Sequence, residues 1–233
     1  MPDSVPLVLV PGLLCSARLY GPQIEALWPE GPVTIADHRR DADVAAIAQR
    51  ILDRAPPRFA LAGLSMGGYI AFAMMRLAPD RIDRLALLDT SARPDTEEGK
   101  AGREKFIAMA ERGKLMDVVD TLTPKFLHRN HAGDERLKGI VRAMARETGV
   151  DAFVKQERAI MGRPDSRPLL ASIKCPTLVL VGDGDELTPP DLAKEMAGGI
   201  AGAKLVIVPD CGHLSTLEQP DAVNAAMAAW LRA

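Results

Sequence analysis

The sequence predicts an α/β fold: a mostly parallel central sheet of about six strands flanked by helices. Three observations carry this prediction. Short and nearly continuous apolar runs recur along the chain, the pattern of strands buried on both faces. Helical patterns with start and stop signals lie between them. The 233 residues suffice for one large domain with a core that needs no disulfide or metal staple.

The elements follow in order. Val5–Val10 is the first strand and runs into the loop Pro11-Gly12-Leu13-Leu14-Cys15-Ser16. Val33–Ala36 is the second. Asp41 or Asp43 can cap a helix whose apolar stripe is Val44, Ile47, Ile51 and Leu52. Phe59–Leu64 is a third strand, followed at once by a helical pattern through Tyr69–Met75 that ends near Pro79. Leu85–Asp89, Thr177–Val181 and Lys204–Val208 complete the sheet. Thr188-Pro189-Pro190-Asp191 opens one helix, with proline pre-set for the first turn and an acid at the positive end. Pro220 and Asp221 open the last, which runs through Trp230.

Residues 93–168 break the alternation. They hold helical patterns over Glu97–Arg112, Leu115–Leu127, Glu135–Arg146 and Asp151–Met161, punctuated by Gly113, Pro124, Gly133, Gly149 and Gly162. The stretch carries 16 Lys/Arg against 13 Asp/Glu, and it contains Phe106, Phe126 and Phe153 of the chain's five Phe. The expectation is a helical lid at 93–168 over a core formed by 1–92 and 169–233.

Composition excludes several functions. With 29 Lys/Arg against 31 Asp/Glu there is no basic excess for nucleic acid. No apolar run approaches the roughly 20 residues of a membrane span. Met1-Pro2-Asp3-Ser4-Val5-Pro6 lacks a positive region and Pro11 interrupts the apolar run after it, so a secretory leader is not expected. Cys15, Cys175 and Cys211 are odd in number and widely spaced, without the Cys-x-x-Cys spacing of a zinc or redox site. They fit small core residues of a cytoplasmic protein.

The strongest chemical signal is Gly63-Leu64-Ser65-Met66-Gly67 between a strand and a helix. A serine on so sharp a turn projects from the sheet, and glycines on either side let strand and helix approach. Ser65 is the candidate nucleophile and needs a base. His213 follows the last strand, at the carboxyl edge where such sheets place ligand-handling groups. His38 is expected in solvent, and His128 and His131 at a lid turn. The acid that orients His213 can be Asp185, Asp183 or Asp89, all at strand ends; loop register favours Asp185. The oxyanion needs two donors. Met66 N–H is one, and Leu13 N–H, or that of its neighbour Leu14, the other.

Together these residues resemble the α/β-hydrolase superfamily, in its small bacterial branch with a helical lid. The resemblance covers nearly the whole chain. Gly182-Asp183-Gly184-Asp185 followed by Thr188-Pro189 is similar to the family's acid motif and implies Asp185. Gly212-His213-Leu214 with Glu218-Gln219-Pro220 is similar to its histidine motif. Pro11-Gly12 stands where the family commonly has His-Gly, so a side-chain hydrogen bond that shapes the oxyanion loop is missing. The resemblance implies a cofactor-free serine hydrolase for a small to medium carboxylic ester, lactone or thioester, with an acidic carrier protein as one substrate form. The same residues can run a lyase or C–C bond cleavage, with His213 as base. A non-catalytic ligand-binding relative is a further alternative.

Overall fold

The computed structural model describes residues 5–233. Residues 1–4, on which the leader expectation partly rests, lie outside the described residues. Six strands form one parallel sheet: β1 (Leu7–Val10), β2 (Val33–Ile35), β3 (Phe59–Leu64), β4 (Ile82–Leu88), β5 (Thr177–Gly182) and β6 (Lys204–Val208). Their order is β2-β1-β3-β4-β5-β6.

Side chains alternate through the sheet as the pleat requires. Leu7 and Leu9 enter one apolar core, Val8 and Val10 the other. Helices α1 (Gly21–Leu27) and α9 (Pro220–Leu231) cover the first face; α2 (Val44–Leu52), α3 (Met66–Leu77) and α7 (Pro190–Gly199) cover the second. Asp43 caps α2, accepting from the N–H groups of Ala45 and Ala46 at 2.9 and 3.0 Å. The chain starts in the sheet, moves outward to β2, then returns past β1 to β3. That reversal opens a crevice at the carboxyl ends of β1 and β3, where such sheets bind ligands.

Between β4 and β5 the chain forms α4 (Glu97–Met109), α5 (Leu115–Phe126) and α6 (Glu135–Met161), with no strand among the described residues. Gly113 (φ 79°) separates α4 from α5, and Gly149 (φ 75°, ψ 171°) breaks the path of α6. These left-handed positions suit glycine because it has no Cβ. A short helix α8 (Ser215–Glu218) precedes α9.

Several elements depart from expectation; among them β1 begins at Leu7 rather than Val5 and β2 ends at Ile35 rather than Ala36. β4 begins at Ile82 rather than Leu85, because Ile82 and the half-buried Arg84 pair with Phe59 and Ala60 of β3 across an irregularity at Asp83. Helix α1 carries few apolar residues and is absent from the periodicity; Leu27 alone is its large buried hydrophobic anchor. No helix among the described residues is long and apolar enough to cross a membrane.

Candidate active site

The turn between β3 and α3 holds Ser65 at φ 56°, ψ −116°, a left-handed conformation that a non-glycine residue rarely adopts. The surroundings over-determine it. Ser65 N–H donates to Leu88 O at 2.9 Å, and Thr90 Oγ1 donates to Ser65 O at 2.7 Å. A Cβ on Gly67 would enter the Val10 carbonyl, and one on Gly63 the Gly67 backbone. The glycines flanking the serine are therefore a packing requirement of the crossing between α3, β1 and β3.

His213 Nε2 lies 2.8 Å from Ser65 Oγ, and its Nδ1 lies 2.8 Å from Asp185 Oδ2. The three residues thus form one hydrogen-bonded chain across the ends of β3, β5 and β6. Asp185 is held in turn. Its Oδ1 accepts from Leu187 N–H and Thr188 N–H, each at 2.9 Å, and Oδ2 accepts from Thr188 Oγ1 at 2.7 Å. Burial alone would raise the Asp185 carboxyl; the His213 ring beside it and the Thr188 donors hold it below the usual carboxylate range. For His213 burial works downward, and the Asp185 carboxylate more than offsets it, so the imidazolium persists above the ordinary histidine range.

The His213 loop is anchored by Glu218. Its carboxylate accepts from Gly212 N–H at 3.0 Å, Leu214 N–H at 3.3 Å and His128 N–H at 2.7 Å, and lies 2.9 Å from His131 Nδ1. Phe126 O accepts from His213 N–H at 3.0 Å, and the Phe126 and His213 rings stack with centroids 6.3 Å apart. His128 and His131 therefore brace this loop from the end of α5.

The other acid candidates lie elsewhere. Asp183 is exposed and accepts from Cys211 N–H at 3.1 Å as a turn residue. Asp89 is fully buried at φ 43°, accepts from Gly182 N–H at 3.0 Å and bonds Ser215 Oγ. Burial, reinforced by the Asp185 charge, pushes its carboxyl well above the carboxylate range.

Leu13 and Met66, the expected oxyanion donors, lie in the loop after β1 and at the first turn of α3. Among the described residues neither N–H donates a hydrogen bond, so both remain free for a ligand. Leu14, the neighbouring candidate, is committed: its N–H donates to Gln156 Oε1 at 3.0 Å, with Leu14 itself at φ 59°. His38 is not in solvent, as expected from its Arg39-Arg40 neighbours, but 2% exposed. Its Nε2 lies 2.9 Å from Gly12 O and 3.0 Å from the Gln156 amide nitrogen. Burial lowers its pKa to about 4, so the ring is neutral. His38 and Gln156 thus hold the loop after β1 at Gly12 and Leu14, where the Pro11 ring offers no hydrogen bond. Sequence reasoning had no signal for either, since the loop is 26 residues from His38 and 142 from Gln156.

A cavity of about 640 Å³ opens over Ser65 and His213. Phe106 of α4, Leu122 and Phe126 of α5, and Met144 of α6 give it an apolar wall. This is the form of a small-molecule site: largely apolar, with a few convergent polar groups. The Cys15 thiol is buried, and that burial pushes its pKa up to about 12, so it stays protonated beside the site.

Comparison with known proteins places this geometry in context. A thermophilic esterase from Thermogutta terrifontis, solved with malate bound, is 31% identical, superposes with a TM-score of 0.90, and matches over 98% of this chain and 89% of its own. The enol-lactonase from Burkholderia xenovorans LB400 is 26% identical with a TM-score of 0.88, covering 99% of this chain and 92% of that one. The pimeloyl-[acyl-carrier protein] methyl ester esterase of Neisseria meningitidis is 27% identical over 97% of this chain and 92% of its own. The sequence pattern that defines the alpha/beta hydrolase family matches residues 7–226. With that match spanning nearly the whole chain, and the parallel sheet and strand-to-helix serine turn in place, the protein belongs to the alpha/beta hydrolase family.

Proposed function

We propose that the protein hydrolyses a small to medium carboxylic ester, lactone or thioester through an acyl-enzyme. The observation that carries this is the uninterrupted chain Ser65–His213–Asp185, with 2.8 Å at both links, opening into a cavity of about 640 Å³. His213 Nε2 takes the Ser65 proton as Oγ attacks the carbonyl carbon. Asp185 fixes the ring with Nδ1–H toward itself and stabilises the imidazolium. The free N–H groups of Leu13 and Met66 receive the oxyanion. His213 then protonates the leaving alcohol or thiol and activates water against the ester of Ser65. No step calls on a metal or organic cofactor. In this reading residues 93–168, with α4, α5 and α6, are the lid. The named esters of the relatives, a lactone and a carrier-borne methyl ester, support this substrate class.

A panel of 4-nitrophenyl esters tests the assignment. The wild-type protein should release a burst of nitrophenol matching its own concentration and take one serine-directed phosphonate per chain. Ser65→Ala should lose about 10⁴-fold or more in kcat and take no label. Wild-type rates from Ser65→Ala would sink the assignment. Turnover that depends on His213 but shows neither burst nor label would move it to the lyase or C–C cleavage chemistry.

A further inference from the structure

We propose that the cavity holds a recognition site for a second, non-reacting carboxylate of the substrate, with Arg103 as its anchor. The inference rests on the ester-hydrolase assignment and names the class of ester. Arg103 projects from α4 into the cavity that exposes Ser65. Its Nε donates to Asp95 Oδ2 at 2.9 Å and its Nη1 to Glu157 Oε2 at 2.7 Å. These two acids fix the plane of the guanidinium. Its Nη2 has no acceptor among the described residues.

The neighbouring Arg163 has no such edge to offer. Its groups donate to Arg93 O at 3.1 Å, Ile160 O at 2.8 Å and Asp95 Oδ1 at 3.3 Å, and its guanidinium lies 4.3 Å from the centroid of the Tyr69 ring. It pins Asp95, which in turn aims Arg103. Glu157 is 1% exposed, and its Oε1 is buried without a partner. A native buried polar atom without a partner calls for an explanation. Here the unpaired atom is an acceptor, so Glu157 holds Arg103 through Oε2 alone.

The sign of the missing group follows from charge. Four cationic and three acidic side chains line the cavity, and one of those acids, Asp95, is already shared by two guanidinium groups. Lys125, also on the wall, has no ionic partner among the described residues. Burial pushes the Glu157 carboxyl above the usual range against the pull of Arg103, so Glu157 neutralises more readily than an exposed glutamate. Arg93 is already paired with Glu195 beyond the lining, so the positive charge without an acid of its own lies at Lys125 and at the Nη2 edge of Arg103. A planar guanidinium edge in a sheltered site fits a carboxylate, which can accept in-plane hydrogen bonds from it.

The test compares matched esters. Mono-4-nitrophenyl half-esters of straight-chain diacids, from succinate to suberate, are set against 4-nitrophenyl esters of monoacids of equal length. The wild-type enzyme should prefer the charged ester of the best-fitting length by about 10-fold or more in kcat/KM, chiefly through KM. Arg103→Gln should lower kcat/KM for that half-ester about 10- to 100-fold more than for its uncharged partner, and Arg103→Lys should restore part of the loss. Because Arg103→Gln strands Glu157, the paired variant Arg103→Gln with Glu157→Gln repeats the comparison without a buried orphan charge. Neutral esters turned over with no preference for any half-ester, or both esters falling in step in the variants, overturns the carboxylate site and leaves the hydrolase assignment standing. Turnover of neither ester by the wild type overturns both.

Discussion

Two buried aspartates approach the catalytic histidine of the proposed mechanism, and they have opposite jobs. Two carboxylates that feel each other's charge cannot both ionise cheaply; His213 and Thr188 hold Asp185 below the carboxylate range, and burial pushes the deeper Asp89 well above it. Asparagine copies a protonated Asp89, accepting from Gly182 N–H and bonding Ser215 as the acid does. Asp89→Asn should therefore stay within about 10-fold of wild-type kcat, whereas Asp185→Asn, which leaves His213 in the wrong tautomer, should lose about 10⁴-fold. The pH profile gives a second check. His213 must be neutral to act as base, and Asp185 raises its pKa, so the acid limb of kcat/KM should lie above the ordinary histidine value of about 6.5 and move down in Asp185→Asn. A profile unmoved by Asp185→Asn but displaced by Asp89→Asn would exchange the two roles. At this scale the sequence was informative where chemistry sits beside its strand. Ser65, Asp185 and His213 each follow a strand end within a few residues, so strand pattern and motif place them. His38 and Gln156 were illegible because their partners are chosen by tertiary approach and neither residue type is unusual in a loop or a helix.

Among the elements, the strands were the most legible, because burial on both faces forces continuous apolar runs. Boundaries were less so: Asp83-Arg84 hides the start of β4, since the edge of a ladder tolerates polar side chains that its centre does not. Gly113 and Gly149 mark breaks at which the backbone is left-handed, while Gly133 and Gly162 mark the start and the end of α6 without a positive φ. The join between α5 and the His213 loop had no signal beyond the Glu218-Gln219-Pro220 motif. In the structure that glutamate receives the backbone N–H groups of Gly212, Leu214 and His128. Glu218→Ala strands these buried donors, each worth about 1–3 kcal/mol if water cannot replace the acceptor. A net loss of about 3 kcal/mol should lower the melting midpoint by about 6–12 °C for a chain of this size. Glu218→Gln keeps an acceptor and should fall between the two. A midpoint unchanged in Glu218→Ala, measured by differential scanning calorimetry, would show that the loop holds itself.

For the whole molecule, the question is whether α4, α5 and α6 only cover the site or help to build it. If they were only a cover, substitutions in them would change how substrate enters and fits, hence KM. The contacts point the other way. Phe126 of α5 holds the backbone of His213, and Gln156 of α6 accepts from Leu14 N–H while touching His38 beneath Gly12. The loop that presents the Leu13 N–H is thus braced by a residue of α6, and Leu14 at φ 59° needs that brace because its conformation is strained. Losing a donor of an oxyanion hole costs about 10²- to 10³-fold in kcat; losing the brace of one donor should cost less, about 10-fold or somewhat more. Gln156→Leu, which keeps the size of the side chain and removes its acceptor, should therefore lower kcat by about that factor with KM nearly unchanged. Gln156→Glu retains an acceptor for Leu14 and should recover most of the rate. A variant with unchanged kcat and a raised KM would return the helices to the role of a cover, and the strained loop would then have to be held by β1 and His38 alone.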